Sequence, residues 1–328
     1  MIGLLARIAV HLLPLAAFVC AGTLNAQTFP TKPLRIVVPF PPGGSADFFT
    51  RVIAQKLSEG WSHSVVVENR PGATTVIGTQ LVARAPGDGY TLLVMANSFT
   101  INPSLRANLP YDITKDFAPV SQLVVSPNVI VTHPSVPAKS FGELLALART
   151  QPGKLTYAAL GPGGAQHVVG EMIRLAAKID MIYVPYAGGA PAVLAAAGGH
   201  VSLAIANISE VTSHIEARKL RALAVTSRER DPTLKIVPTV AESGIRDFRN
   251  FEALAWWGIV APAGTPADAI AKINMEVARV LKLQDVRAKL TEQSLYPVGS
   301  TPAQFDSHIR AETARYAMVV KSAGIKVD

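Results

Sequence analysis

The chain has 328 residues, a length that accommodates two domains of ordinary size. It carries 31 Lys and Arg against 23 Asp and Glu, a formal net charge of +8 that favours anionic partners. No run of basic residues interleaved with aromatic ones is present, so we expect no nucleic-acid binding, and the single cysteine excludes a disulfide framework.

Residues 1–26 have the pattern of a secretory signal peptide. Arg7 supplies the positive end, Ile8–Val19 is apolar apart from one histidine, and cleavage is expected after Ala26. A membrane anchor is the alternative, but the apolar run is short and contains Pro14. The only cysteine falls inside this segment, so the mature chain is expected to lack thiols, which suits the oxidising bacterial periplasm.

The residues after the leader alternate between apolar strand patterns and helical spacing. The predicted elements are strand Leu34–Pro39, helix Ala46–Ser58, strand Val65–Val67, helix Val76–Ala85 and strand Tyr90–Ala96. This alternation predicts a mostly parallel sheet with helices on both faces. Residues 102–118 are rich in Pro and Asn and are predicted to be irregular, and two extended pieces, Pro119–Val125 and Asn128–Val131, follow them on either side of Ser126-Pro127.

A second α/β unit is predicted in the middle of the chain. Ser140 and Glu143 form a capping box that starts the helix Phe141–Thr150. The elements after it are strand Leu155–Ala159, helix Ala165–Lys178, strand Met181–Val184, helix Ala190–Ala197, strand Val201–Ala206, helix Glu210–Ala217 and strand Arg221–Thr226. The alternation is strong enough to predict a separate core for this unit.

The last part of the chain contains one long apolar strand and two helices. The strand, Ala253–Val260, carries Trp256 and Trp257 on opposite faces, so we expect one in the core and the other along a cleft. The helices are predicted from Pro266 to about Leu281, capped by Thr265, and from Thr301 as cap to about Lys321. They need a sheet to cover, and the first α/β unit is the natural candidate.

Domain 1 is therefore predicted to be discontinuous. It would consist of residues 27–125 and 249–328, with residues 126–248 forming domain 2. Two crossings between the domains, near Val124–Asn128 and Arg249–Leu254, would then form a hinge.

Two glycine-rich turns each lie between an apolar strand and a helix. The first turn is Pro-Pro-Gly-Gly-Ser-Ala-Asp at residues 41–47, and the second turn is Gly-Pro-Gly-Gly-Ala-Gln-His at residues 161–167. Each can aim free backbone N–H groups at an anion from the positive end of a helix, where ligands of α/β sheets bind. Two such turns facing each other would clamp a carboxylate. In the alternative, the glycines only supply turn dihedrals, and Ser45 or Asp47 caps the helix.

No catalytic set accompanies these turns. The chain lacks the Gly-x-x-x-x-Gly-Lys-Ser/Thr, Gly-x-Ser-x-Gly and His-Glu-x-x-His patterns, and its histidines are scattered singly. Gln166 stands where a dinucleotide motif requires Gly or Ala, and His167 is placed to cap a helix. Arg70 is a candidate carboxylate partner, with pairing to Glu68 as the alternative. We expect a receptor without metal or cofactor, and an α/β hydrolase or nucleotide-dependent transferase is the rival class.

Seven segments of the chain, the first of which includes the first turn, carry a resemblance to a known family that covers Phe29 to Asp328. They are Pro39–Asp47, Val67–Ala73, Pro86–Leu93, Val184–Tyr186, Leu220–Thr226, Pro238–Glu242 and Ala261–Pro266. In these segments the chain resembles the Bug-type (TctC-like) solute-binding receptors of tripartite tricarboxylate transporters. The resemblance implies an α/β periplasmic-binding-protein clamshell, with two doubly wound domains joined by two hinge crossings.

The resemblance also implies a ligand site, in which backbone amides of the two turns hold a carboxylate, often through ordered waters. The implied binding residues are Phe40, Gly43, Gly44, Ser45 and Asp47 on one jaw, Gly163, Gly164, Ala165, Gln166 and His167 on the other, and Ser98, Tyr186 and Asn207 nearby. A monomer that delivers a small organic acid to membrane permease subunits is expected. A sensor for a signalling partner is the alternative.

Three positions depart from the pattern that the resemblance implies. Thr74-Thr75 stands where Gly-Gly is common, Ala187 where Lys is common, and Ser202 where an acidic residue is common. These departures bear on the identity of the ligand and leave the architecture unchanged. Loss of the lysine leads to the hypothesis of a less charged or bulkier acid.

Overall fold

The computed structural model describes residues 29–325 of the chain. The predicted signal peptide and its cleavage site lie outside these described residues. Between residues 29 and 325, every helix is too short or too polar to cross a membrane.

The described residues contain ten strands that form one continuous sheet. The strands are β1 (Leu34–Val38), β2 (Val65–Asn69), β3 (Thr91–Ala96), β4 (Phe117–Thr132), β5 (Thr156–Leu160), β6 (Ile182–Tyr186), β7 (Leu203–Asn207), β8 (Arg221–Val225), β9 (Leu254–Pro262) and β10 (Tyr296–Pro297). The order across the sheet is β2-β1-β3-β9-β4-β7-β5-β6, and β8 and β10 also pair with β4. We name the half with β1, β2, β3 and β9 lobe 1, and the half with β5, β6, β7 and β8 lobe 2.

Helices cover the sheet in both lobes. They are α1 (Ser45–Trp61), α2 (Val76–Ala83), α3 (Asn97–Leu105), α4 (Phe141–Thr150), α5 (Ala165–Ala177), α6 (Gly189–Ala197), α7 (Ile208–Glu216), α8 (Ala267–Lys282), α9 (Gln284–Thr291) and α10 (Pro302–Ala323). Most of the predicted helices and strands are confirmed to within a few residues. At the start of α4, Ser140 Oγ accepts from the Glu143 N–H, which is one half of the predicted capping box. At the start of α10 the capping box is complete, because Thr301 and Gln304 bond reciprocally.

The C-terminal helices pack on lobe 1, on opposite faces of its sheet. Ile273 and Val277 of α8 lie in one core cluster with Leu34 of β1. Phe305 of α10 lies in a second cluster with Val37, whose side chain points to the other face. Strands near the two ends of the chain therefore share one sheet, as expected. The limits of domain 1 (27–125 and 249–328) and of domain 2 (126–248) stay a prediction.

The centre of the sheet differs from the parallel arrangement predicted for each unit. β1 is parallel to β2 and β3, and β5 is parallel to β6 and β7, but β4 and β9 pair in antiparallel fashion. β4 pairs with β9 from Phe117 to Pro127 and with β7 from Asn128 onward, so it runs through both lobes. The prediction of two separate extended pieces is wrong because Pro127, which lacks an N–H, is accommodated where the strand changes partner.

Three further expectations need correction. Residues predicted to be irregular contribute to α3, a helix that contains Pro103 and is buried along most of its length. Thr265 does not cap α8, because its hydroxyl donates to the Pro262 carbonyl, 2.8 Å away, and Pro266 is the N-cap residue. Trp256 and Trp257 are both core residues, so neither lines a cleft.

Candidate ligand-binding site

The first turn follows β1 and leads into α1. Gly43 has a φ of 84°, a conformation that glycine adopts without strain. Its N–H donates to Oδ2 of Asp47, 3.0 Å away, and the same carboxylate accepts from Arg51 Nε and Asn69 Nδ2. Burial opposes ionisation, but these bonds together hold the pKa of Asp47 below its ordinary value. The Asp47 side chain thus fixes the turn.

The start of α1 leaves a set of backbone donors unused. The first helical bond runs from the Phe48 N–H to the Gly44 carbonyl, 3.0 Å away. Within residues 29–325, the N–H groups of Gly44, Ser45 and Ala46 have no acceptor. Unpaired N–H groups at a helix N-terminus, together with the helix dipole, form an anion site.

The second turn repeats this arrangement before α5. Gly163 has a φ of 76°, and its N–H donates to Nδ1 of His167, 3.1 Å away. The Gly164 N–H is used by the Gly161 carbonyl at 2.8 Å. In the described part of the chain, the N–H groups of three residues at the start of α5 have no acceptor: Ala165, Gln166 and His167.

His167 is built into the second turn as a neutral imidazole. It is buried, its ring stacks on Tyr183 with centroids 3.7 Å apart, and burial lowers its pKa to about 4. A neutral ring can accept the Gly163 N–H through Nδ1, whereas a protonated ring cannot. The expected helix-capping role fits this geometry better than a role as a catalytic base.

Polar side chains join the second turn to the middle of the sheet. Gln166 Nε2 lies 3.2 Å from Asn128 Oδ1 and 3.3 Å from Asn207 Oδ1. Asn207 is the N-cap residue of α7, and its N–H donates to Oε2 of Glu210, 3.1 Å away. Burial raises the pKa of Glu210 to about 7. Asn128 is absent from the predicted set, and its only sequence signal is its place at a strand crossing.

The two lobes touch at each of the two turns. Ser45 Oγ of the first turn lies 3.1 Å from Ser209 Oγ, in the first turn of α7. A methyl group built on Gly161 would lie 3.8 Å from Thr74 Oγ1, which belongs to lobe 1. Ser209 is a residue that the sequence analysis missed, although its position just after a predicted strand could have indicated it. The helix N-termini of α1, α5 and α7 are therefore close together.

The remaining predicted residues border this region with their own partners. Ser98 Oγ lies 3.1 Å from Thr75 Oγ1, and the Phe40 carbonyl accepts from Asn69 Nδ2 at 3.1 Å. Tyr186 is the last residue of β6, and its carbonyl lies next to Gly161. Arg70 pairs with Glu68 through Nε at 2.6 Å, which is the alternative stated for it.

The chemistry of the two turns is that of neutral donors. Neither turn contains Lys or Arg, and Arg51, four residues after the first turn, is bound to Asp47. Among residues 29–325, His, Cys, Asp and Glu side chains do not gather in groups of three or more that could hold a metal ion. The arrangement can hold an anion by backbone N–H groups.

Comparison with known proteins gives the family. The model of the tripartite tricarboxylate transporter family receptor matches residues 49–325. The BugT protein of Bordetella pertussis is 36% identical over 309 residues, which cover 94% of each chain. An R. palustris protein determined with adipate is 34% identical with a TM-score of 0.85, covering 91% of this chain and 99% of that one. MatC from Rhodopseudomonas palustris with bound malate is 30% identical with a TM-score of 0.80, and the match covers 89% of this chain and 100% of MatC.

These matches extend over both lobes. The fold is the two-domain clamshell of periplasmic solute-binding proteins. The chain belongs to the Bug-type (TctC-like) family of solute-binding receptors of tripartite tricarboxylate transporters.

Proposed function

We propose that the mature protein captures a small organic carboxylate in the cleft between its lobes and delivers it to the permease subunits of a tripartite tricarboxylate-type transporter. The observation that carries this proposal is the pair of glycine turns, each with unpaired N–H groups at a helix N-terminus. A carboxylate matches these donors in charge and in hydrogen-bonding capacity. The ligand would be held by N–H groups of Ser45 and Ala46 on one side and Ala165 and Gln166 on the other.

Two relatives of this chain support the ligand class, because their structures were determined with adipate and with malate. Both compounds are small carboxylic acids. The excess of basic residues in the chain adds a weak general attraction for anions. Dedicated side-chain cations are absent from the two turns, so backbone N–H groups would supply the recognition.

The proposed role needs no catalysis. The imidazole of His167 lies in the second turn, and its Nδ1 is occupied by the Gly163 N–H. Asp47 is likewise occupied by three donors. A receptor that works as a monomer in the periplasm, after removal of residues 1–26, fits this reading.

A thermal-shift screen of the mature protein against succinate, malate, citrate, adipate and benzoate tests the proposal. A ligand present at about 100 times its dissociation constant raises the free energy of unfolding by about 2.7 kcal/mol, which is readily measured. The control is the neutral amide of the best acid, with every carboxylate converted, because it keeps the shape and loses the charge. We expect a shift with the acid and none with the amide. Equal shifts with both, or no shift with any acid, would contradict the proposed function.

A further inference from the structure

The loop that follows β2 has an unusual backbone. Three consecutive residues with side chains, Ala73, Thr74 and Thr75, have φ values of 46°, 52° and 75°. Residues with a Cβ rarely adopt the left-handed region, and a β-branched residue there is an outlier. Glycine adopts the same values without strain, so the turn itself does not require threonine. Such strain persists only where surrounding contacts hold it, and it is common at ligand clamps.

Helix α3 supplies the contacts that hold this loop. The Asn102 side chain donates through Nδ2 to the Thr74 carbonyl, 3.0 Å away. The Thr75 hydroxyl lies 3.1 Å from the hydroxyl of Ser98. Asn102, Ser98 and Thr75 are all buried, so the loop is anchored to lobe 1 by a fixed surface.

The same loop meets the second turn across the cleft. A methyl group built on Gly161 would lie 3.8 Å from Thr74 Oγ1 and 3.7 Å from the Tyr186 carbonyl. Next to this contact, the Leu105 side chain of α3 packs directly on Gly163. The lobes also meet at the first turn, where Ser45 Oγ lies 3.1 Å from Ser209 Oγ. Each turn therefore touches the opposite lobe.

We propose that Thr74 is a specificity-determining residue whose side chain closes one side of the cleft and limits the length of the acid that the closed lobes accept. The proposal rests on the proposed function. Its basis is the position of Thr74: anchored from behind by Asn102, strained, and placed against Gly161 of the opposite lobe. A long acid would have to displace this side chain or keep the lobes from closing.

The dissociation constants of a series of straight-chain dicarboxylates, from succinate to pimelate, test this inference in four proteins. Thr74→Gly removes the side chain and the strain, and Thr74→Ala removes the hydroxyl and the branch but keeps the strain. Ala73→Gly is the matched control, because Ala73 is exposed and has the same backbone conformation. Melting temperatures are measured alongside.

We expect both Thr74 variants to shift the relative affinity toward the longer acids by about tenfold, the effect of a methylene in a shaped pocket. Thr74→Gly and Ala73→Gly should each raise the melting temperature by about 2 °C, while Ala73→Gly keeps the wild-type length preference. An unchanged length preference in both Thr74 variants would overturn the inference while the proposed function stands. Failure of the wild-type protein to bind any acid would overturn both.

Discussion

The backbone N–H of Gly163 donates to Nδ1 of His167, 3.1 Å away and four residues along the chain. The first turn has the same relationship between Gly43 and Asp47, at 3.0 Å. In each turn the side chain at the start of the helix takes the N–H of a glycine with positive φ. This local bond folds each turn back on the first residues of its helix, whose N–H groups at Ser45 and Ala46 and at Ala165 and Gln166 are the proposed ligand donors.

The bond to His167 makes the stability of the second turn depend on pH. Burial lowers the pKa of His167 from 6.5 to about 4, so the unfolded chain binds more protons between these values. The contribution of His167 to the free energy of unfolding is therefore complete above pH 6.5 and is lost as the pH falls toward 4. In His167→Asn the side chain can still accept the Gly163 N–H, as Asp47 does for Gly43, but no longer titrates.

The measurement is the melting temperature of wild type minus that of His167→Asn, followed from pH 7 to pH 4. We expect this difference to fall steadily below pH 6.5. His200→Asn, at an exposed position, is the control for the substitution itself. A constant difference for His167→Asn would mean that the imidazole is not held neutral.

Glu210 is predicted to make the stability depend on pH in the opposite direction to His167. Burial raises its pKa from 4.5 to about 7, so the folded protein binds more protons than the unfolded chain in this interval. Its contribution to stability falls as the pH rises from 4.5 to 7. Glu210→Gln should remove this fall, because Gln304 shows that glutamine serves equally in a capping box of this chain. Chemical denaturation at pH 5 and pH 8 measures the free energy of unfolding of both proteins. An identical pH dependence of this free energy in variant and wild type would contradict the prediction.

The role of individual N–H groups can be tested with proline. Ala165 is the first residue of α5, and the preceding Gly164 has φ −64° and ψ 156°, which a following proline accepts. Ala165→Pro therefore removes one proposed ligand donor while the helix keeps a favourable first residue. We expect the affinity for the acid to fall by about tenfold to a hundredfold, the effect of losing one hydrogen bond to a charged group.

The control for this variant is Ala267→Pro, at the equivalent first position of α8 and exposed on the surface. It should fold and bind like wild type in titration calorimetry. Unchanged affinity in a folded Ala165→Pro protein would show that this N–H does not contact the ligand.

Gly44 and Gly164, the N-cap residues of α1 and α5, should respond differently to substitution. A Cβ on Gly44 would meet nothing closer than the Pro41 carbonyl at 3.9 Å, and its φ of −83° suits any residue. A Cβ on Gly164 would lie 2.8 Å from Leu160 Cγ and 2.9 Å from the Leu160 carbonyl oxygen.

Gly44→Val should keep the fold and lose at least about tenfold in affinity, by blocking close approach of the acid. Gly164→Val should lose stability by about 1–3 kcal/mol. Melting curves and calorimetry distinguish the two, and normal binding by Gly44→Val would remove the first turn from the site.

The sequence was sufficient to predict those elements whose structure is determined by neighbouring residues. The helix Phe141–Thr150 has the predicted limits because Ser140 caps it and its apolar spacing continues to its end. The two glycine turns were also recognisable, since a turn between strand and helix depends on neighbouring residues. By contrast, α3 contains Pro103 and is buried on most sides, so its apolar residues show no helical period, and tertiary packing stabilises it.

The contacts between residues far apart in the sequence could not be derived in the same way. Ser45 meets Ser209 and Gln166 meets Asn128 only after the sheet has formed with β4 running through both lobes. Their separation along the chain leaves no periodic or local signal. The strained conformation at Thr74 is equally invisible in a sequence, because neither residue type nor spacing reports a positive φ.

A crystal structure of the mature protein with a bound dicarboxylate would reveal how the acid is held. We expect a carboxylate between the two turns, with its oxygens about 3 Å from N–H groups of Ser45 or Ala46 and of Ala165 or Gln166, directly or through one water. A carboxylate held chiefly by arginine or lysine side chains, or bound away from both turns, would contradict it.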